Sequence, residues 1–134
     1  MAYDYRTLRV ERSGPILTLT FDRPHALNAV DEVMHGELAR VFAEIAADPA
    51  AEVVILTGAG RGFSAGGDTA LLQHMIDDEA CWRKTHREAK RITLSLLELH
   101  QPVIAKVNGP AAGLGATLAL CSDVIFASDK ASFG

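Results

Sequence analysis

Several features are missing from this sequence, and each absence narrows what the protein could do. Cys81 and Cys121 lie far apart and form no Cys-x-x-Cys pair, which argues against a disulfide framework or a thiolate zinc site. A reducing cytoplasm is therefore the expected location. A basic excess is also missing: the net charge of −4 argues against nucleic-acid binding, although a local patch could still bind a small anion.

Long apolar runs are absent as well. The N-terminal segment MAYDYRTLRVERSG has scattered charges and no apolar core, so it does not resemble a signal peptide. The least polar stretch, Gly109 to Cys121, is shorter than the roughly 20 residues that a bilayer requires, so no membrane contact is expected. We expect one domain over residues 1–134. The abrupt stop at Ala131-Ser132-Phe133-Gly134, just after a predicted strand, suggests a piece of a longer protein.

The spacing of apolar residues predicts an α/β fold. Two strands, at 5–11 and 15–21, flank a tight turn at Ser13-Gly14-Pro15, and Asn28 and Asp31 are spaced like a helix cap before a helix that ends near Ala47. Alternating elements of this kind predict a largely parallel sheet, and the repeated order of strand, glycine loop and helix indicates a coarse internal repeat. Further strands are predicted at 53–56, 103–107, 124–127 and 131–133, and further helices at 69–77, at 79–100 and up to Cys121.

Two glycine-rich loops, at residues 58–68 and 108–115, each follow a predicted strand and open a predicted helix. Such a loop places unpaired backbone N–H groups and the positive end of a helix dipole beside the sheet. Glycines leave room for a ligand oxygen, and two neighbouring loops could direct two amides at one oxygen, as in an oxyanion hole. Ordinary tight turns between strand and helix are the alternative.

Two other motifs overlap the first loop. Residues 58–62 depart from GxGxxG because Gly62 falls one position early, and no Gly-Lys-Ser/Thr follows, which argues against a nucleotide. The stretch Gly62-Phe63-Ser64-Ala65-Gly66 matches the GxSxG of serine hydrolases. However, Ser64 lies several residues beyond the predicted strand, and no histidine follows His100. A serine hydrolase that uses Ser64 remains an alternative.

Four longer stretches carry a resemblance to a known family. They are Phe21-Asp22-Arg23-Pro24 with Ala26-Leu27-Asn28-Ala29, then residues 54–68, then residues 102–115, and finally Cys121-Ser122-Asp123 through Ser132-Phe133-Gly134. In these stretches the sequence resembles the enoyl-CoA hydratase/isomerase (crotonase) superfamily, in register over nearly the whole chain. The resemblance implies a crotonase-like spiral of repeated ββα units, of which this chain would be the N-terminal portion. It also implies an acyl-CoA thioester as substrate and a homotrimer or hexamer.

The resemblance implies particular site residues too. The two oxyanion donors of the family fall on the backbone N–H groups of Gly67 and Leu114, which are the expected catalytic groups. No metal or separate cofactor is expected, because coenzyme A is part of the substrate. The residues expected to contact the acyl-CoA are His25, Ala26, Leu27, Ala65, Gly67, Asp68, Thr69, Ala70, Leu114 and Thr117.

Thr117 departs from the pattern of the hydratases. Typical hydratases carry two glutamates around the substrate; the first falls at Thr117, which cannot act as a general base, and the second would lie beyond Gly134. An isomerase with a single carboxylate, or a divergent member of the superfamily, therefore fits at least as well as a hydratase with two glutamates. A non-catalytic acyl-CoA-binding member is the second alternative.

The remaining polar residues are interpreted as structural. Asp68 and Asp123 are expected at a helix start and a strand start, and Trp82 in the core. The histidines show no metal-ligand spacing, and all except His25 are expected at the surface. A solvated helix face, rather than contact with CoA phosphates, is expected for Arg83, Lys84, Arg87, Lys90 and Arg91.

Overall fold

The main sheet has five strands, and the computed structural model describes residues 2–134. The sheet begins with an antiparallel hairpin of β1 and β2, and its later pairings are all parallel. The strands lie side by side in the order β1 (Leu8–Ser13), β2 (Ile16–Phe21), β3 (Val53–Gly58), β4 (Val103–Val107) and β6 (Val124–Ala127). The prediction of a largely parallel α/β sheet is thus confirmed.

Four α-helices connect these strands, and a short 3-10 turn at Pro24–Ala26 precedes the first. Their predicted bounds are correct to within a few residues; for example, α3 ends at Leu97 rather than at His100. Within residues 2–134, no helix combines the length and apolar character needed to cross a membrane. The helices are α1 (Glu32–Ala46), α2 (Thr69–Asp77), α3 (Glu79–Leu97) and α4 (Leu114–Leu120).

A second layer of extended backbone gives the chain its repeat. The short strands β5 (Pro110–Ala111) and β7 (Ser132–Phe133) pair in parallel, and Ser64 bridges to Ala111 on the other side. Each parallel strand of the main sheet is therefore followed by a short segment in the second layer, and the earlier units then continue into a helix. This arrangement agrees with the ββα repeat that the family resemblance implies.

The start of α1 differs from its prediction. Asp31 is the cap, and its carboxylate accepts a hydrogen bond from the Met34 amide at 2.8 Å. Asn28 does not cap the helix; it is fully buried and has a φ of 55° in the turn before α1. Asparagine tolerates this backbone conformation better than most residues. Its side chain forms hydrogen bonds to the first glycine loop instead of capping α1.

Two side chains lie where the sequence does not predict them. Trp82 is 47% exposed rather than in the core, because the buried stripe of α3 runs through its neighbour Cys81 and through Ile92 and Leu96. His35 is 6% exposed rather than at the surface, because α1 packs against α3 at this point and Glu88 of α3 provides a partner for the imidazole. Both side chains lie on one cavity.

Candidate active site

The two glycine loops pack directly against each other. A Cβ built on Gly109 would lie 1.9 Å from the Arg61 carbonyl oxygen, and one built on Gly115 would lie 2.3 Å from the Ser64 carbonyl oxygen. Real side chains do not reach such distances, so these positions require glycine for contact between the loops. The expectation that these glycines make room for a ligand is therefore wrong for Gly109 and Gly115.

Asn108 ties the first loop to the end of β4. Its amide nitrogen donates to the carbonyl oxygens of Gly58, Gly60 and Gly62 at 3.0 to 3.1 Å. Its carbonyl oxygen accepts from the Gly58 amide at 3.2 Å. Sequence reasoning assigned no role to Asn108, although an asparagine directly after a strand commonly bonds nearby backbone.

The segment before α1 is also hydrogen-bonded to the first loop. Leu27 and Asn28 both have positive φ, at 52° and 55°. The side-chain nitrogen of Asn28 donates to the backbone carbonyls of Ala59 and Gly62 at 2.9 and 3.0 Å. The Leu27 backbone carbonyl accepts from the Ala65 backbone N–H at 3.0 Å. The fold therefore places Leu27 beside Ala65, two of the residues expected to contact the acyl-CoA, while His25 is exposed on the 3-10 turn.

The two expected donors follow a pair of glycines in contact. Gly66 has a φ of 84° and Gly113 a φ of 54°, a region that glycine adopts without strain. A Cβ on Gly66 would lie 3.3 Å from the Cα of Gly113. The next residues are Gly67 and Leu114, so the contact brings the two expected donors to neighbouring positions.

Both donor amides are unpaired within residues 2–134. Leu114 is the first residue of α4, where a helix leaves its N–H groups without intrahelical acceptors. The chain around Gly67 forms a parallel bridge to Val30 through the Gly66 carbonyl and the Asp68 amide, at 2.7 and 2.9 Å, and this bridge does not use the Gly67 N–H. Both groups remain able to donate to a ligand.

Gly67 and Leu114 line one cavity of about 260 Å³. Its wall is mainly apolar and comes from α2 and α3, with Val30 and His35 from the region of α1. Among the described residues, no carboxylate lines it. The other residues of the wall are Leu71, Leu72, Met75, Trp82, Thr85, His86 and Ala89. A larger cavity of about 680 Å³ between α1 and α3 has a charged lining and includes neither donor.

The remaining expected site residues lie around the start of α2 and α4. Asp68 caps α2 by accepting from the Ala70 amide at 2.8 Å, next to the exposed Thr69. Thr117 is exposed, and its hydroxyl donates to the Gly113 carbonyl at 3.2 Å rather than reaching the cavity. Asp123 accepts from the Val103 amide at 2.7 Å. Asp68 and Asp123 therefore have the structural positions that were expected for them.

Ser64 is not arranged as a nucleophile. Its side chain is 1% exposed, and its hydroxyl donates to the Asn28 carbonyl at 2.8 Å and accepts from the Gly66 amide at 3.3 Å. No histidine contacts it within the part of the chain that the structure describes. The match to GxSxG arises from loop packing, and the structure does not favour the serine-hydrolase alternative.

One group of possible metal ligands does come together, on three separate elements that sequence spacing could not link. Atoms of Glu32, His74 and Cys81 lie within 4.8 Å of one another. Both ring nitrogens of His74 already face carboxylates, from Glu32 at 3.3 Å and Asp78 at 3.4 Å, and the Lys84 ammonium lies 3.8 Å from Glu32. Glu32 and His74 thus belong to an exposed charged network, whereas Cys81 is buried and takes no part in it. The basic side chains of α3 are exposed, as expected: Arg83, Lys84, Arg87, Lys90 and Arg91.

The chain is similar to known proteins in both sequence and fold. The chain is 38% identical over 122 residues to the 1,2-epoxyphenylacetyl-CoA isomerase of Escherichia coli, covering 88% of this chain and 46% of that protein. It is 41% identical over 128 residues to the carnitinyl-CoA dehydratase of Salmonella arizonae, covering 95% of this chain and 48% of that protein. The chain thus spans about half the length of the curated relatives it matches.

Solved structures agree in fold. The crystal structure of an enoyl-CoA hydratase/isomerase from Mycobacterium paratuberculosis superposes with a TM-score of 0.95 at 39% identity, covering 98% of this chain and 53% of that one. The family model described as enoyl-CoA hydratase/isomerase matches residues 11–134. The predicted crotonase-like fold is thereby confirmed, and the chain belongs to the enoyl-CoA hydratase/isomerase family.

Proposed function

We propose that this chain binds an acyl-CoA thioester and stabilises negative charge on its carbonyl oxygen through the amides of Gly67 and Leu114. The observation that carries the proposal is the pair of unpaired N–H groups on one mainly apolar cavity. The apolar wall suits an acyl chain. The names of two relatives, 1,2-epoxyphenylacetyl-CoA isomerase and carnitinyl-CoA dehydratase, also indicate CoA thioesters.

The chemistry follows from where charge develops. Removing a proton next to a thioester carbonyl, or adding a nucleophile to a conjugated double bond, leaves negative charge on the carbonyl oxygen. Fixed backbone donors stabilise that charge more than they stabilise the neutral substrate, so they accelerate the step. No separate cofactor takes part in this proposal. The CoA portion would lie along His25, Ala26, Leu27, Ala65, Asp68, Thr69 and Ala70, beside the exposed start of α2.

The reaction type depends on the group that moves the proton. Thr117, in the position of the first hydratase glutamate, has its hydroxyl bonded to backbone, and no carboxylate of residues 2–134 lines the cavity. This favours an isomerase or an atypical hydratase over a hydratase with two glutamates. It also supports the second candidate, a member that binds acyl-CoA without turnover. A homotrimer or hexamer of the complete protein remains a prediction.

Leu114 offers a selective test, because it is the first residue of α4. Proline is tolerated at that position and removes the N–H, along with the leucine side chain. Leu114→Ala is the matched control, since it shortens the side chain but keeps the donor. The readout is exchange of the proton next to the carbonyl of butanoyl-CoA in deuterated buffer, with binding followed through Trp82, the single tryptophan.

We expect Leu114→Pro to lose on the order of 100-fold in exchange rate, corresponding to about 3 kcal/mol for one oxyanion donor, while Leu114→Ala loses much less. Equal losses in the two variants would show that the side chain, not the amide, matters. Binding by the unmodified chain without any exchange would support the non-catalytic candidate. No binding at all would contradict the proposal.

A further inference from the structure

The cavity has a buried polar side chain that the proposed chemistry does not use. His35 is 6% exposed and lines the wall. Its Nδ1 lies 2.9 Å from a carboxylate oxygen of Glu88. A ligand pocket that is mostly apolar usually selects its ligand through the few polar groups it contains, so the direction of this imidazole matters.

The pairing with Glu88 fixes which ring nitrogen faces the ligand. Because a carboxylate only accepts, Nδ1 carries the hydrogen and donates to it, which leaves Nε2 as the variable atom. Nε2 has no hydrogen-bond partner among residues 2–134. Nε2 is also not fully enclosed by protein. Within residues 2–134, the fully enclosed polar side-chain atoms that lack a hydrogen-bond partner are the Tyr5 hydroxyl and Gln101 Oε1, and Nε2 is not among them. Because His35 lines the cavity, we expect Nε2 to meet a ligand there.

A second buried polar group lies on the same wall. Thr85 is 6% exposed, and the polar side-chain atom near its hydroxyl is the Cys81 sulfur, at 3.9 Å. A sulfur at that distance is a weak partner. A wholly hydrocarbon ligand would leave Nε2 of His35 without a partner and the Thr85 hydroxyl with only the Cys81 sulfur, at a cost in affinity.

We propose that the cavity takes an acyl group that carries a hydroxyl at C4 or farther from the thioester, and that His35, positioned by Glu88, recognises this hydroxyl. The inference rests on the proposed function, because the Gly67 and Leu114 amides hold the thioester end. A hydroxyl suits either charge state of the imidazole: it donates to neutral Nε2 and accepts from protonated Nε2.

The test compares acyl-CoA pairs that differ by one hydroxyl. The chain is titrated with butanoyl-CoA against 4-hydroxybutanoyl-CoA, and with hexanoyl-CoA against 6-hydroxyhexanoyl-CoA, while Trp82 emission reports binding from the cavity wall. Two chain lengths are used because the depth at which the hydroxyl lies is left open. We expect the hydroxylated member of at least one pair to bind about tenfold more tightly.

His35→Leu should abolish this preference, while His100→Leu, an exposed histidine outside the cavity, should retain it. If His35→Leu does not fold, ¹⁵N NMR of the unmodified chain provides the test. The chemical shift of His35 Nε2 should change when the hydroxylated acyl-CoA binds and should not change when the acyl-CoA without the hydroxyl binds. Equal affinities within both pairs, or a preference that survives in His35→Leu, would overturn the inference. Absence of binding by every acyl-CoA would instead contradict the proposed function.

Discussion

Gly66 and Gly113 lie backbone against backbone, with a Cβ on Gly66 only 2.7 Å from the Ala112 carbonyl oxygen and 3.3 Å from the Gly113 Cα. Each glycine directly precedes one of the proposed donors. The relative position of the Gly67 and Leu114 amides is therefore set by loop packing, and any residue that keeps the loops together also positions the donors.

Gly115 and Gly36 both lie within helices, and we expect alanine to have opposite effects there. A Cβ at Gly115 would lie 2.3 Å from the Ser64 carbonyl oxygen, so Gly115→Ala should destabilise the chain by roughly 1–3 kcal/mol. A Cβ at Gly36 meets only the flexible Glu88 carboxylate at 3.4 Å. Gly36→Ala should therefore stabilise α1 by about 0.5–1 kcal/mol.

Urea unfolding followed by circular dichroism measures both effects. The contrast between the two variants is the test, because helix propensity favours alanine in each case. If Gly115→Ala were as stable as the unmodified chain, the close contact between the loops would be wrong.

The elements with clear periodicity could be predicted from the sequence. The predicted bounds of α2, β4 and β6 match the structure, since each lies between strong breaks such as Gln101-Pro102. The start of α1 was predicted less well. Asn28 and Asp31 both suit a cap by residue type, and only the tertiary contact with the Ala59 and Gly62 carbonyls shows that Asn28 serves another loop.

The site was predictable in part. Glycine loops after buried strands indicated backbone donors, and the family resemblance assigned that role to Gly67 and Leu114. The structure brings these two residues to one cavity, and their role as donors stays a prediction. Most of the cavity wall was not predictable, because it depends on how α3 packs against α2 and α1. His35 and Glu88 are far apart in sequence and meet only through that packing, which also moves Trp82 out of the core.

Ser64 provides a prediction that separates loop packing from nucleophilic catalysis. Ser64→Ala removes the donor to the buried Asn28 carbonyl, so we expect a loss of about 1–3 kcal/mol in unfolding free energy. Hydrolysis of a p-nitrophenyl ester should not change at a temperature where the variant is folded. Ser13→Ala, at an exposed strand end, serves as the control for stability. A selective loss of esterase activity would revive the hydrolase alternative.

Asp48 makes stability depend on acid pH. The Tyr3 hydroxyl donates to its carboxylate at 2.6 Å, and together with Arg12 and the Ala50 amide it lowers the pKa of Asp48 from 3.8 to about 2. A depressed native pKa contributes stability above the unfolded value, and this contribution is lost as the pH falls through the native value. The unfolding free energy should therefore decrease from pH 3.8 towards pH 2.

Asp48→Asn should flatten that decrease, because the variant has no proton to bind at this position. Asp129→Asn, at an exposed turn, is the matched control and should retain the full slope. Unfolding in urea at a series of pH values measures both. An unchanged slope in Asp48→Asn would mean that another carboxylate governs acid unfolding.

β6 is one of the two edge strands of the main sheet, and its side chains are exposed to solvent. Phe126 is 64% exposed, and Val124 is 47% exposed. Unpaired edge backbone beside apolar side chains favours association with another copy, so we expect the molecular weight of the isolated chain in sedimentation to rise with concentration.

Phe126→Lys should suppress this rise while changing the unfolding free energy by less than about 0.5 kcal/mol, because the side chain makes little buried contact. As the control, Leu97→Lys removes a similarly exposed apolar side chain, 57% exposed on α3. If Leu97→Lys suppressed association as strongly as Phe126→Lys, general surface hydrophobicity would be responsible rather than the edge of the sheet.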